Sequence, residues 1–164
     1  MRKADIIEGK ILSLTDALRT VNQWRVTSKT IAFTNGIFDI LHRGHIYSLS
    51  QAAREADYLI VGLNSDSSTK QLKGPTRPIN DQQARAIVMA SLLMVDMVVI
   101  FDEETPLELI KAIMPDVLVK GGDYTEEQVA GAKEVKANGG RVVLNPIVEG
   151  FSTTNTIRKM SGLK

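Results

Sequence analysis

The chain contains two histidines, His42 and His45, and they stand three residues apart on either side of Gly44. They lie in Thr34-Asn35-Gly36-Ile37-Phe38-Asp39-Ile40-Leu41-His42-Arg43-Gly44-His45. This stretch starts where the apolar run Thr30-Ile31-Ala32-Phe33-Thr34 ends, and it finishes where a helical pattern over Gly44 to Ala56 begins. At a helix start, that spacing can aim both imidazoles at one point. First-turn N–H groups and the helix dipole add positive potential there, and a glycine lets a bulky anion come close to the backbone. The chemistry this suits is phosphate binding without a glycine-rich loop, since the Walker and GxGxxG spacings are both absent. Two alternatives remain open: a structural pair, or two zinc ligands. Zinc needs at least a third ligand, and no nearby carboxylate has an obvious spacing.

The elements that must position this stretch can be read from pattern. Strands are expected at Thr30 to Thr34, Tyr58 to Leu63, Met97 to Phe101, Val117 to Lys120 and Arg141 to Leu144. Their apolar runs are continuous, as in strands buried on both faces. Ile7, Ile11, Leu14, Leu18 and Val21 predict one amphipathic N-terminal helix, docked on its own domain or on a second chain. Asn80 with Gln83 predicts a capped helix to about Leu93. Thr105 with Pro106 and Glu108 predicts a second, and Thr125 with Gln128 a third, ending at Asn138-Gly139-Gly140. A last helix follows Ser152. Residues 64 to 80 read as a long polar loop holding Lys70, Lys73, Arg77 and Pro78, and loops of that length are usually functional or disordered. Strand–helix alternation of this kind predicts an α/β fold with a doubly wound, five-stranded parallel sheet, helices on both faces and an extra N-terminal helix. Such sheets bind ligands beyond the carboxyl ends of their strands, where strand order reverses.

Bulk composition narrows the function. At 164 residues the chain has the size of one domain, taken as 1–164 with a helical extension over 1–25 and a core over 30–160. Its 20 basic and 19 acidic residues leave a net charge of +1, which gives no global field for nucleic acid or an anionic membrane. There is no cysteine, so disulfides, thiolate metal sites and cysteine nucleophiles are excluded. The N-terminus lacks an apolar leader, and no apolar run is long enough to span a bilayer. The expectation is a cytoplasmic protein with no membrane or nucleic-acid partner.

The GxFDxLHxGH string resembles the HxGH signature of the nucleotidyltransferase superfamily, which includes cytidylyltransferases, pantetheine-phosphate adenylyltransferase and class I aminoacyl-tRNA synthetases. The resemblance runs over about residues 30 to 160 and implies a Rossmann-like fold. Gly150-Phe151-Ser152-Thr153-Thr154-Asn155 looks like the superfamily's STT motif before the last helix. Lys73-Gly74-Pro75-Thr76-Arg77-Pro78-Ile79-Asn80, then Arg85, and Val119-Lys120-Gly121-Gly122-Asp123-Tyr124 resemble the enzymes that make ADP-heptose from heptose 1-phosphate. Ile147-Val148 stands where cytidylyltransferases commonly carry an arginine-threonine pair, which favours adenine. In that group the adenylyltransferase is often fused to a sugar kinase. This chain starts at its own Met1 with a short helix and is expected to be a stand-alone form.

What the resemblance implies is transfer of AMP from ATP to a sugar 1-phosphate. The attacking phosphate is already ionised, so catalysis is positioning and charge neutralisation. His42, His45, Arg77 and Arg85 are the implied catalytic residues. Thr34, Asn35, Gly36, Phe38, Gly44, Lys120, Gly121, Asp123, Ser152, Thr153 and Thr154 are implied on the nucleotide, with Gly122 beside them. Asp39, Lys70, Arg77 and Arg85 are implied on the sugar phosphate. No protein-held metal is expected; Mg2+ would come bound to the ATP phosphates. A homodimer is expected. Alternatives are a cytidylyltransferase acting on glycerol 3-phosphate or a related phosphorylated alcohol, a nucleotide-binding regulator without turnover, and a scaffold domain using the N-terminal helix.

Overall fold

A computed structural model describes residues 6–122 and 124–146, together with 153, 156, 157 and 162. Five strands, β1 (Ile31–Gly36), β2 (Tyr58–Asn64), β3 (Met97–Phe101), β4 (Val117–Gly121) and β5 (Arg141–Asn145), form one parallel sheet in the order β3-β2-β1-β4-β5. The chain builds outward from β1 to β3, then returns to the other side of β1. The reversal between β1 and β4 opens a crevice at the strands' carboxyl ends.

Strand residues alternate between two cores. Ile31, Phe33, Ile60, Val99 and Leu118 pack with α1 (Leu14–Val26), α5 (Leu107–Ile113) and α6 (Ala132–Ala137). Ala32, Leu59, Val61, Val98 and Val119 pack on the opposite face with α2 (Arg43–Ala53) and α4 (Gln82–Ala90). At the amino ends of the strands, register is pinned by aspartates. Asp57, just before β2, accepts from Thr30 N at 2.9 Å; Asp96, just before β3, accepts from Leu59 N at 2.8 Å; Asp116, just before β4, accepts from Ile31 N at 2.8 Å. Each carboxylate satisfies an N–H at the start of the neighbouring strand, a group that would otherwise lack a ladder partner.

The N-terminal helix read from spacing is two elements. Glu8–Lys10 is a 3-10 turn, Ile11 bridges to Val98, and Leu12 N donates to Val98 O at 3.0 Å. Helix α1 starts only after Ser13, whose side chain accepts from Asp16 N. The apolar stripe is therefore divided. Ile7 and Ile11 pack into the α4 core, and Ala17 and Val21 into the α1 core, so the segment wraps the edge strand β3. Edge strands with unpaired backbone groups invite such cover. The stripe docks on its own domain.

The supposed loop over 64 to 80 contains helix α3 (Asp66–Lys73). Ser65 caps it by accepting from Ser68 N, and Gly74 ends it at φ 94°, a conformation glycine adopts without strain. The remaining loop includes a cis Arg77–Pro78 bond. Three caps also differ from expectation. Asp81, not Asn80, caps α4, because the Asn80 amide donates to Asp39 O. Thr105 does not cap α5, where Pro106 takes the cap position without a side-chain bond. Thr125 and Gln128 form their capping box on a 3-10 turn, Glu126–Gln128, with α6 beginning separately after Gly131. The start of the last helix at Ser152 lies outside the described residues, although Thr153, Thr156 and Ile157 are helical. Among the described residues no helix is long and apolar enough to cross a membrane.

Candidate active site

The crevice at the switch point is an open cleft of about 820 Å³. Its walls include Thr34, Asn35, Gly36, Phe38 and Asp39 after β1, His42, Gly44, His45 and Ser48 on α2, and Lys120, Gly121 and Gly122 at the end of β4. Thr153 also lines it, and its hydroxyl donates to the Ile40 carbonyl at 3.5 Å. Both ends of the resemblance thus meet at one place. Asp123, Ser152 and Thr154 lie outside the described residues.

His42 sits at the N-cap of α2 and His45 one turn in. Their rings stack with centroids 3.8 Å apart and planes 18° from parallel. Phe38 meets the His45 ring edge-on at 5.3 Å. Phe38 itself has φ 48°, an unusual conformation for a bulky residue and one that tends to occur at functional sites. A side chain on Gly36 would run into its ring, 2.9 Å from the Cβ position. Burial, then the neighbouring His42, push the His45 pKa down to about 4, against the opposing pull of the Ile40 carbonyl. Burial likewise lowers that of His42. With no anion beside it, His45 is therefore neutral at pH 7, and its Nδ1 has no hydrogen-bond partner among the described residues. An arriving phosphate raises the pKa of an imidazole beside it.

Two expected ligands of the sugar phosphate do not line the cleft. Arg85 is 1% exposed and its guanidinium is fully engaged with the fold. It donates to the carbonyls of Asn80 (3.0 Å), Ile37 (2.7 Å) and Asn64 (2.8 Å) and to Asp66 Oδ1 (2.8 Å). It does not line the cleft; it ties the ends of β1 and β2 to the loop before α4. Lys70 is exposed on α3 and does not line the cleft either; Lys73, one turn on, does. Residues three apart share a helix face, so position along the axis, not phase, separates the two: Lys73 ends α3 at the cleft, and Lys70 sits one turn earlier.

Asp39 also differs from its expected role on sugar hydroxyls. Its buried carboxylate accepts from Arg77 Nε at 2.7 Å and from the N–H groups of Ile79 and Asn80, each at 2.9 Å. Burial alone pushes its pKa up, but the Asn80 and Ile79 N–H groups and the Arg77 guanidinium outweigh that and hold it below the usual range. Asp39 is a clamp on the 77–80 loop, and Arg77, pinned through Nε, presents the rest of its guanidinium to the cleft.

Lys120 Nζ donates to Asn35 Oδ1 at 3.0 Å and lies 5.3 Å from the Tyr124 ring centre. Burial lowers its pKa. Gly121 leaves room for Ser48, whose hydroxyl is 2.8 Å from where a Cβ would be. Sequence reasoning missed several wall residues: Ser48, Asn64, Leu72, Glu104, Thr105 and Gln128. Ser48 was within reach, lying one helical turn beyond His45; the others carried no local signal.

Comparison with known proteins agrees with this geometry. The cytidylyltransferase-like family profile matches residues 33–159. The bifunctional protein HldE of Paramagnetospirillum magneticum is 54% identical over 155 residues, covering 94% of this chain and 32% of the relative. That of Caulobacter vibrioides is 56% identical over 154 residues, again 94% of this chain and 32% of the relative. The chain thus spans about a third of the length of the curated relatives it matches. Among solved structures, a lipopolysaccharide core biosynthesis protein from Thermoplasma volcanium superposes with TM-score 0.60 at 26% identity, covering 73% of this chain and 97% of that one. Pantoate-beta-alanine ligase from Francisella tularensis shares the fold, with TM-score 0.63 at 17% identity over 90% of this chain and 72% of that one. Signature, sheet order and profile coincide on one cleft, and the chain belongs to the cytidylyltransferase-like family of nucleotidyltransferases.

Proposed function

We propose that this chain transfers the AMP unit of ATP to D-glycero-D-manno-heptose 1-phosphate, releasing pyrophosphate and giving ADP-heptose. The observation that carries the reading is the convergence of the stacked His42–His45 pair, Gly44 and Thr153 on one cleft whose rim carries Lys73 and Arg77. The choice of substrate is supported by the high identity to HldE proteins over nearly the whole chain, and the choice of adenine by Ile147-Val148 in place of arginine-threonine.

An acceptor phosphate oxygen attacks the α-phosphorus, a new P–O bond forms, and the bond to the β-phosphate breaks with its electron pair leaving on pyrophosphate. No proton need be removed from the nucleophile, so the cleft's task is to align two anions and neutralise them. His42 and His45 hold the α-phosphate and the bridging oxygen that gains charge, becoming protonated as the triphosphate binds. Ser152, Thr153 and Thr154 hold the β- and γ-phosphates through their hydroxyls. The flat Gly121–Gly122 wall receives the nucleoside. Mg2+ would ride on phosphate oxygens and water, screening their charge.

The test is pyrophosphate release with Mg2+, comparing ATP with CTP across heptose 1-phosphate, glycerol 3-phosphate and phosphopantetheine. Release confined to ATP with heptose 1-phosphate is expected. Release with CTP and glycerol 3-phosphate instead would assign the cytidylyltransferase reading. ATP binding without release from any pair would assign the regulator. We further propose a homodimer acting in the cytoplasm; a monomeric mass in solution would remove the first part.

A further inference from the structure

Side-chain parity divides the cleft in two. On β1, Ile31 and Phe33 face the α1/α5/α6 core, and Asn35 continues that set. On β2, Ile60 faces the same core and Asn64 continues it; on β4, Leu118 does and Lys120 continues it. Three adjacent strands thus end in a polar side chain on one face, and Lys120 bonds Asn35 across the seam at 3.0 Å. The histidines belong to α2 on the opposite face, where Gly121 rather than Lys120 packs against Ser48. Glu104, Thr105 and Gln128, beside α5 and the 3-10 turn, line the cleft on the Lys120 side.

The groups on this side suit a phosphorylated polyol. Lys120 is half-buried with an amide for a partner and makes no ion pair with a described carboxylate, so an anion is the partner its environment lacks. Around it stand neutral donors and acceptors together with the Glu104 carboxylate. Asn64 has Oδ1 remaining after its Nδ2 bonds Ser68, and Gln128 has Nε2 remaining after its Oε1 caps Thr125.

The geometry points to this half of the cleft as the acceptor subsite: Lys120 receives the acceptor's phosphate, while Asn35, Asn64, Glu104, Thr105 and Gln128 receive its sugar hydroxyls. The assignment rests on the transfer reaction proposed above; it moves the sugar end away from Asp39, Lys70, Arg77 and Arg85 and takes Asn35 and Lys120 from the nucleotide. In-line displacement accords with it. With the leaving pyrophosphate held on the α2 side by His42, Gly44 and Thr153, the attacking oxygen would enter from the other side of the cleft, the side that Lys120 lines.

The test uses the full chain with a non-hydrolysable ATP analogue bound, and calorimetric titration of heptose 1-phosphate and glycerol 3-phosphate, alongside steady-state kinetics on whichever acceptor reacts. Lys120→Met is expected to weaken acceptor affinity and raise its KM by tenfold or more, the scale of a lost charge-assisted hydrogen bond, with the KM for ATP within about twofold. Lys120→Arg should recover part of the loss. Thr105→Val should weaken heptose 1-phosphate more than glycerol 3-phosphate, which has fewer hydroxyls to read. Unchanged acceptor affinity in Lys120→Met, an equal rise in the KM for ATP, or no acceptor binding by the unmodified chain overturns the subsite. The unmodified chain's choice of acceptor tests the substrate separately. A chain that reacts only with glycerol 3-phosphate overturns the heptose reading, while the Lys120→Met ratio still decides the subsite.

Discussion

Arg77 and Asp39, 38 positions apart in sequence, are joined by a 2.7 Å bond from Nε to Oδ2 in which the carboxylate side chain is fully buried. The bond fixes the loop before α4 against the segment that carries the histidines, so Arg77 faces the cleft only while Asp39 is charged. Asp39→Asn leaves a similar shape but removes the charge, and an amide nitrogen would then face N–H donors. The expected cost is about 3–5 kcal/mol, as for other broken buried pairs, with kcat/KM down tenfold or more. Chemical denaturation and kinetics would show it; an unchanged midpoint would remove the clamp. The sign with pH follows from the depressed carboxyl. Its stabilisation is present above the unfolded value, about 3.9, and is lost as pH falls through the lower folded value.

Arg85 and Lys70 separate structure from surface. Arg85→Lys cannot reach three carbonyls and Asp66 together, and stability should fall by about 3 kcal/mol or more. Lys70→Ala should leave stability within about 0.5 kcal/mol and turnover within twofold, while Lys73→Ala lowers kcat/KM by tenfold or more. Equal effects of the two lysine variants would show that position along α3 does not select between them.

His45→Ala should lower kcat by two or more orders of magnitude, the scale of removing one preorganised donor from developing charge, with a folded, thermally cooperative protein remaining. Near-normal turnover would take His45 out of the reaction.

Protonation should accompany binding. With its pKa at about 4, His45 is uncharged at pH 7 when no anion lies beside it, and the anionic triphosphate raises that value. Calorimetry of the ATP analogue in buffers of different ionisation enthalpy should then report proton uptake near pH 6.5, reduced in His45→Ala. Zero uptake would contradict the scheme. For stability, the unfolded state binds the extra proton between the unfolded value of about 6.5 and the folded value of about 4. The contribution of His45 is therefore lost as pH falls through that window, and His45→Ala should flatten that part of the stability curve.

The strands and the histidine stretch were legible because each is a local pattern: an apolar run, or a fixed spacing at a helix start. Helix α3 was hidden because Asp66-Ser67-Ser68-Thr69-Lys70-Gln71-Leu72-Lys73 has hardly any apolar stripe; its Ser68 and Thr69 are buried regardless. The N-terminal spacing was misleading because two elements on opposite faces of an edge strand happened to share one period. Arg85 could not be told from a ligand by type or position, since burial and three accepting carbonyls are properties of the assembled fold. The acceptor-side groups were invisible for a related reason: Asn35, Asn64 and Lys120 acquire a common face only when β2, β1 and β4 lie side by side.

Strand β1 is made first and ends in the middle. As the chain leaves the ribosome, residues 31 to 101 can already form β3-β2-β1, but the outer edge of β1 stays open until residue 117 emerges to pair with Ala32. For that interval the nascent protein carries an unpaired, apolar central strand, the kind of edge that captures other chains. Asp116 is the residue that arrives just before the missing strand, and its carboxylate takes the Ile31 N–H. Its place sets it to latch the late strand in register as synthesis completes the sheet.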